Sequence, residues 1–150
     1  MPRDDAEPTR WMQSARMDLR VVRRLLTPDC AEWEAVGFHC QQAIEKALKA
    51  VLASRAEEIQ KVHDLDHLMD LCVPHAPLLG RFRPTLYSIT FYAVMWRYPM
   101  PRAPKPDDVR QAARLAEEMV AVIEGWLTGP ESDRQPSPPQ PDPGVSGGGT

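Results

Sequence analysis

Apolar residues recur every three or four positions along most of the chain, and no apolar and polar alternation of period two lasts beyond a few residues. That spacing predicts helices and no strands. The first helix covers residues 9–26, with Thr9 as N-cap, Trp11, Ala15, Leu19, Val22 and Leu26 on one face, and Pro28 just beyond. The second covers 30–55. A short third, 64–73, has Leu65, Leu68, Met69 and Cys72 along one side and Pro74 past its end. The fourth, 84–98, opens with Pro84 in its first turn and is stopped by Pro99. The fifth, 107–127, aligns Val109, Ala112, Ala116, Met119, Val120, Ile123 and Leu127 before Gly129. At 1.5 Å per residue the long helices reach roughly 22 to 39 Å, and such rods bury their faces most simply by standing antiparallel. The expected fold class is all-α: an up-and-down bundle of four to five helices with the short third helix transverse to it.

The flanks read differently. Residues 1–8 are polar and expected to be flexible, residues 9–128 form the bundle, and residues 129–150 run GPESDRQPSPPQPDPGVSGGGT. A Pro, Gly and Ser tract without an apolar pattern has too little to bury against its ordering entropy, so a disordered tail is expected.

Composition narrows the function classes. No apolar run approaches the roughly 20 residues that span a bilayer, and Asp4, Asp5 and Glu7 are foreign to a signal or transit peptide. A cytoplasmic protein without a membrane partner is expected. The three cysteines, Cys30, Cys40 and Cys72, show no C-x-x-C spacing and read as reduced thiols. A net charge of −3 gives no global attraction to nucleic acid. RNA is therefore a weakly supported partner, resting on the local cluster Arg16, Arg20, Arg23 and Arg24 on the first helix.

The second helix carries the chemistry. On a 100° wheel Val36, Cys40, Ala43, Ile44, Ala47, Leu48 and Val51 share an apolar arc, and His39, Gln42, Glu45, Lys46 and Lys49 lie opposite. The plain reading is a solvated face laced by i,i+4 neighbours such as Glu45 and Lys49, each worth a few tenths of a kcal/mol. Two charges elsewhere fall on apolar faces: Asp18 among Trp11, Ala15, Val22 and Leu25, and Arg97 beside Leu86 and Ala93. A charge so placed must reach solvent or find a partner.

The segment Phe38-His39-Cys40-Gln41-Gln42-Ala43-Ile44-Glu45-Lys46-Ala47-Leu48-Lys49-Ala50-Val51-Leu52 resembles the helix that marks HEPN domains. His63-Asp64-Leu65 is similar to the family's short His-Asp-Leu element, Tyr92 to Pro99 to its Arg-Tyr-Pro segment, and Ala15 to Leu19 fits as well. The resemblance implies a helical bundle, a homodimer, and frequently a small nucleotidyltransferase as partner, some such pairs acting as toxin and antitoxin. Many members are ribonucleases with an arginine followed, after four to six residues, by a histidine. This chain departs from that pattern, because its last histidine is His75 and seven residues separate Arg55 from His63. The other branch of the family, nucleotide-binding or helping a nucleotidyltransferase, suits the residues present. Gln42, Glu45, Lys46, Lys49, Arg97 and Tyr98 are the ligand candidates, with Asp18 and His63 supporting. The expected ligand is a nucleotide such as ATP, without another cofactor. No residue is assigned to catalysis, and a divergent ribonuclease or a ligand-free structural homodimer are the alternatives.

Two further constellations carry less. His63 and His67 stand one turn apart among Asp64, Asp66 and Asp70, but acidic residues suit a first helical turn without a metal. Cys40 follows His39, yet adjacent helical residues diverge by 100°, so the pair is no nucleophile and base.

Overall fold

A computed structural model describes residues 6–59, 61, 63–87 and 104–130, and among these there is no strand. The helices are α1 (Ala6–Leu25), α2 (Trp33–Ser54), α3 (Leu65–Cys72) and α4 (Pro106–Thr128). A 3-10 helix, Pro77–Phe82, leads into helical residues 83–87, with Pro84 in the first turn. The rest of the expected fourth helix, including Ile89, Ala93, Trp96, Arg97 and Tyr98, lies outside the described residues, as do 1–5 and the tail from 131. None of the described helices is long and apolar enough to cross a membrane.

Local chemistry explains where the elements begin and end. α1 starts at Ala6 rather than Thr9, because Glu7 suits the positive end of a helix and Pro8 lacks only an N–H that has no helical acceptor in the first turn. Thr9 is thus inside the helix and is not its cap. α2 starts at Trp33 rather than Cys30, because Thr27-Pro28-Asp29-Cys30 forms a turn closed by the Cys30 N–H donating to the Thr27 carbonyl at 3.0 Å. Asp64 caps α3, its side chain accepting from the Asp66 N–H at 3.0 Å. α4 opens with Pro106, Asp107 and Asp108 and stops before Gly129.

The packing has one inner helix. In α2 the run Ala47, Leu48, Lys49, Ala50, Val51 and Leu52 is buried on every side, so this helix lies within the bundle and not on its surface. α1 covers it in antiparallel sense, since Trp11 lies against Lys49 while Asp18 reaches His39 and Lys46. α4 runs parallel to α2, with Arg110 stacked on Trp33 near their N-termini and Arg55 on Trp126 at the other end. α3 closes a further side, the Cys72 thiol donating to the Leu48 carbonyl at 3.3 Å. At the end of α4 Trp126 takes the burial expected of Leu127, which is only partly covered.

Two bidentate ion pairs link α1 to α4. Arg23 donates through Nε and Nη2 to the Glu117 carboxylate at 2.7 and 2.6 Å, and Arg16 grips Glu124 through the same two nitrogens. Half of the arginine cluster read from the sequence is thereby matched by carboxylates of α4.

α2 ends in a Schellman motif: the Glu57 N–H donates to the Leu52 carbonyl and the Ala56 N–H to the Ala53 carbonyl, each at 3.1 Å. The residue that turns the chain is Ala56, at φ 54, a left-handed conformation disfavoured for a side chain with a Cβ. Ala56→Gly should therefore stabilise the fold by about 0.5–1 kcal/mol, read as a higher midpoint of thermal or urea unfolding.

Candidate functional site

The polar stripe of α2 is an internal feature. Glu45 and Lys49 retain only 4% and 6% of their surface, and Asp18 of α1 retains 7%. Burial of this kind requires partners, and they are present in two parallel groups. Asp18 uses both oxygens: Oδ1 meets His39 Nδ1 at 2.8 Å and Oδ2 accepts from Lys46 Nζ at 2.6 Å. Glu45 uses one: Oε1 accepts from Lys49 Nζ at 2.8 Å and meets His63 Nδ1 at 2.9 Å, while Oε2 is buried without a partner among the described residues. Each group thus holds one carboxylate, one lysine and one histidine.

Spacing along α2 explains the selection. His39 and Lys46 are seven residues apart, which returns them to one stripe after two turns, so a single carboxylate on α1 can reach both. Glu45 and Lys49 are an i,i+4 pair in the favourable order. His63 is set by the helix that follows it: Asp64 caps α3 and Leu65 is fully buried, which leaves the preceding residue at the mouth of the bundle facing Glu45. The three residues of the His-Asp-Leu element thus have three separate tasks: an ion-pair contact, a cap and a core contact. Lys49 also lies over the Trp11 ring, 5.4 Å from its centroid, and this face of the ring attracts a cation.

The donor geometry fixes the histidine tautomers. An ionised carboxylate only accepts, so each Nδ1 carries the proton it gives, and each Nε2 is directed away from its anchor. The His39 side chain is 26% exposed and that of His63 53% exposed, whereas the carboxylates behind them are nearly sealed. Lys46, 24% exposed, has spent one of three N–H donors. Gln42 is partly buried on the same stretch of helix. What faces outward is therefore a pair of oriented Nε2 acceptors and the spare donors of Lys46, backed by neutralised charge.

Of the residues singled out in the sequence, the structure brings together Asp18, Glu45, Lys46, Lys49 and His63. Arg97 and Tyr98 lie outside the described residues. His39 was placed on the stripe but given no role, although its heptad relation to Lys46 and the buried position of Asp18 both pointed to it. Among the described residues no group of three or more His, Cys, Asp or Glu side chains is arranged to hold a metal ion. Cys40 is fully buried, and burial, with a smaller contribution from Glu117, pushes its thiol up to about 12; burial alone does the same to Cys72. A thiol so protonated is no nucleophile. A groove of about 870 Å³ follows a different seam, between α1 and α4, where Val22, Leu26 and Ala113 meet Arg23, Arg110 and Arg114.

The contacts define a helical bundle organised about one buried, charge-bearing helix. A family model described as HEPN domain matches residues 9–126, most of the chain, and the protein belongs to that family. Neither the comparison with curated proteins nor that with solved structures gives a match.

Two predictions follow from burial. Glu45→Ala leaves the Lys49 ammonium buried and unpaired and should cost about 3–5 kcal/mol, whereas Glu45→Leu combined with Lys49→Met should recover most of that loss in urea unfolding. A double variant as unstable as Glu45→Ala would show that the pair matters for something other than mutual neutralisation. The second concerns pH. The folded state keeps the Cys40 and Cys72 protons until about pH 12, while the unfolded chain begins to lose them near 9.0. Their contribution is complete below pH 9.0 and is lost as pH rises towards 12. The unfolding midpoint should fall across that window, and less so in the Cys40→Ala, Cys72→Ala variant.

Proposed function

We propose that this HEPN protein is a non-catalytic nucleotide-binding partner of a nucleotidyltransferase, acting as a homodimer within a toxin–antitoxin-like pair. The observation that carries the ligand reading is the anchoring of His39 and His63: each is held through Nδ1 by a buried carboxylate and directs Nε2 away from it. The spare N–H donors of Lys46 suit phosphate oxygens, to which charge-assisted hydrogen bonds are strong, and the two Nε2 atoms, oriented acceptors in this tautomer, suit ribose hydroxyls or a base amino group. Gln42 has the amide needed for a base or ribose; Arg97 and Tyr98, outside the described residues, are by residue type the candidates for a phosphate contact and a stacking ring. Asp18, Glu45 and Lys49 act from behind, orienting the groups that touch the ligand.

Binding to the native state must raise stability. ATP at a hundred times its Kd should add about 2.7 kcal/mol, and the thermal midpoint should rise accordingly. His63→Gln and Lys46→Gln should shrink the rise without abolishing the fold. An unchanged midpoint with ATP and GTP at millimolar concentration would sink the nucleotide reading, and co-purification with a nucleotidyltransferase tests the partner separately.

The same histidines favour one alternative, a divergent ribonuclease. A carboxylate-anchored imidazole with a free Nε2 is the arrangement a general acid or base requires, and His63 is accessible. Metal-independent RNA cleavage lost in His63→Gln would select that reading over stoichiometric binding.

A further inference from the structure

At the far end of α2, six residues beyond Lys49, lies a donor set that the polar cluster does not use. Arg55, the C-cap residue, stacks its guanidinium over Trp126 of α4, 5.3 Å from the ring centroid. Its Nε and Nη2 are both buried and have no hydrogen-bond partner among the described residues, and the same is true of Trp126 Nε1. The stack does not satisfy them. A ring face attracts the cation through its quadrupole, whereas guanidinium N–H bonds point outward in the guanidinium plane.

The protein shows twice what this edge is for. Arg16 and Arg23 each use the Nε and Nη2 pair to hold two oxygens of one carboxylate. Arg55 offers the same two-donor edge, but withdrawn from water, where an unmatched charged donor is unfavourable and a matched one is strong. The ring under the guanidinium carries a third unpartnered donor, the Trp126 indole N–H, and no acceptor side chain among the described residues is bonded to any of the three. Arg55 as a residue is only partly buried, although the two nitrogens themselves are sealed.

We infer that Arg55 and Trp126 form a second binding site, for a small oxyanion that presents two oxygens to one edge, either a carboxylate or a phosphate. The site is independent of the nucleotide reading, since it shares no residue with the cluster of Asp18, His39, Glu45, Lys46, Lys49 and His63. Arg55 supplies the charge and the bidentate edge. Trp126 holds the guanidinium plane from one face and donates Nε1 to the same anion.

The test uses the full chain with acetate and inorganic phosphate in separate titrations against chloride at equal ionic strength. The reporter is the indole N–H resonance of Trp126, assigned by its loss in Trp126→Phe. A saturable downfield shift with acetate alone marks a carboxylate site, with phosphate alone a phosphate site, and with both a general oxyanion site. Arg55→Met should abolish the shift, and Trp126→Phe should weaken the anion-dependent rise in thermal midpoint severalfold. In chloride buffer free of oxyanions Arg55→Met should unfold close to the parent midpoint, because it removes the unmatched buried donors together with the stack over Trp126. Either of two results would overturn the inference: a response to both anions no larger than to chloride, or an Arg55→Met variant clearly less stable in that chloride buffer. The latter would mean that the guanidinium edge already has a partner.

Discussion

Three charges that belong to a surface by type, Asp18, Glu45 and Lys49, are enclosed in this bundle, and enclosure is tolerable only because each meets an opposite charge at hydrogen-bonding distance, Asp18 from the partly covered Lys46. Asp18 with Lys46 and Glu45 with Lys49 meet that requirement, and neither pair can be moved without exposing a buried charge to an apolar surrounding. The first pair ties α1 to α2. The second, through His63, ties α2 to the entrance of α3. The positions of three elements thus depend on ionised groups met on a single helix, while hydrophobic burial supplies the driving force and turns the apolar stripes of α1, α3 and α4 inward.

The same enclosure determines the kind of site the protein can offer. Lys46 and Lys49 are not an open basic stripe, since their charge is largely matched from within, which accords with a chain of net charge −3. Recognition on this face then depends on directed hydrogen bonds, donated by Lys46 and accepted by His39 and His63, more than on long-range attraction. Directed bonds distinguish one oxyanion geometry from another, whereas a diffuse positive field attracts any polyanion.

The helices and their facing residues were legible from apolar spacing, and the HEPN family from four segments, the longest running from Phe38 to Leu52. Boundaries moved where local chemistry overrode periodicity: Glu7 and Pro8 lengthened α1, and the Pro28-Asp29 turn delayed α2. The wheel gathered His39, Gln42, Glu45, Lys46 and Lys49 correctly but read them as solvated. A helical wheel records which residues share a side, and it contains nothing about how many neighbours will cover that side. Asp18 was the clue, because a carboxylate on an apolar face implies cations opposite it. The pairing of Arg55 with Trp126 had no such signal, since the two residues are 71 positions apart and join only when α2 and α4 run parallel.

The paired arginines between α1 and α4 carry a consequence for sliding. Arg16 and Arg23 are seven residues apart, as are Glu117 and Glu124, so both rungs lie on facing stripes that recur every two turns. Displacing one helix along the other by a single turn, about 5.4 Å, would break both rungs together and bring only Arg20, on the same stripe, opposite one of the two carboxylates. Each rung is half-exposed and individually weak, yet their common spacing means that a slip exchanges two bidentate rungs for at most one.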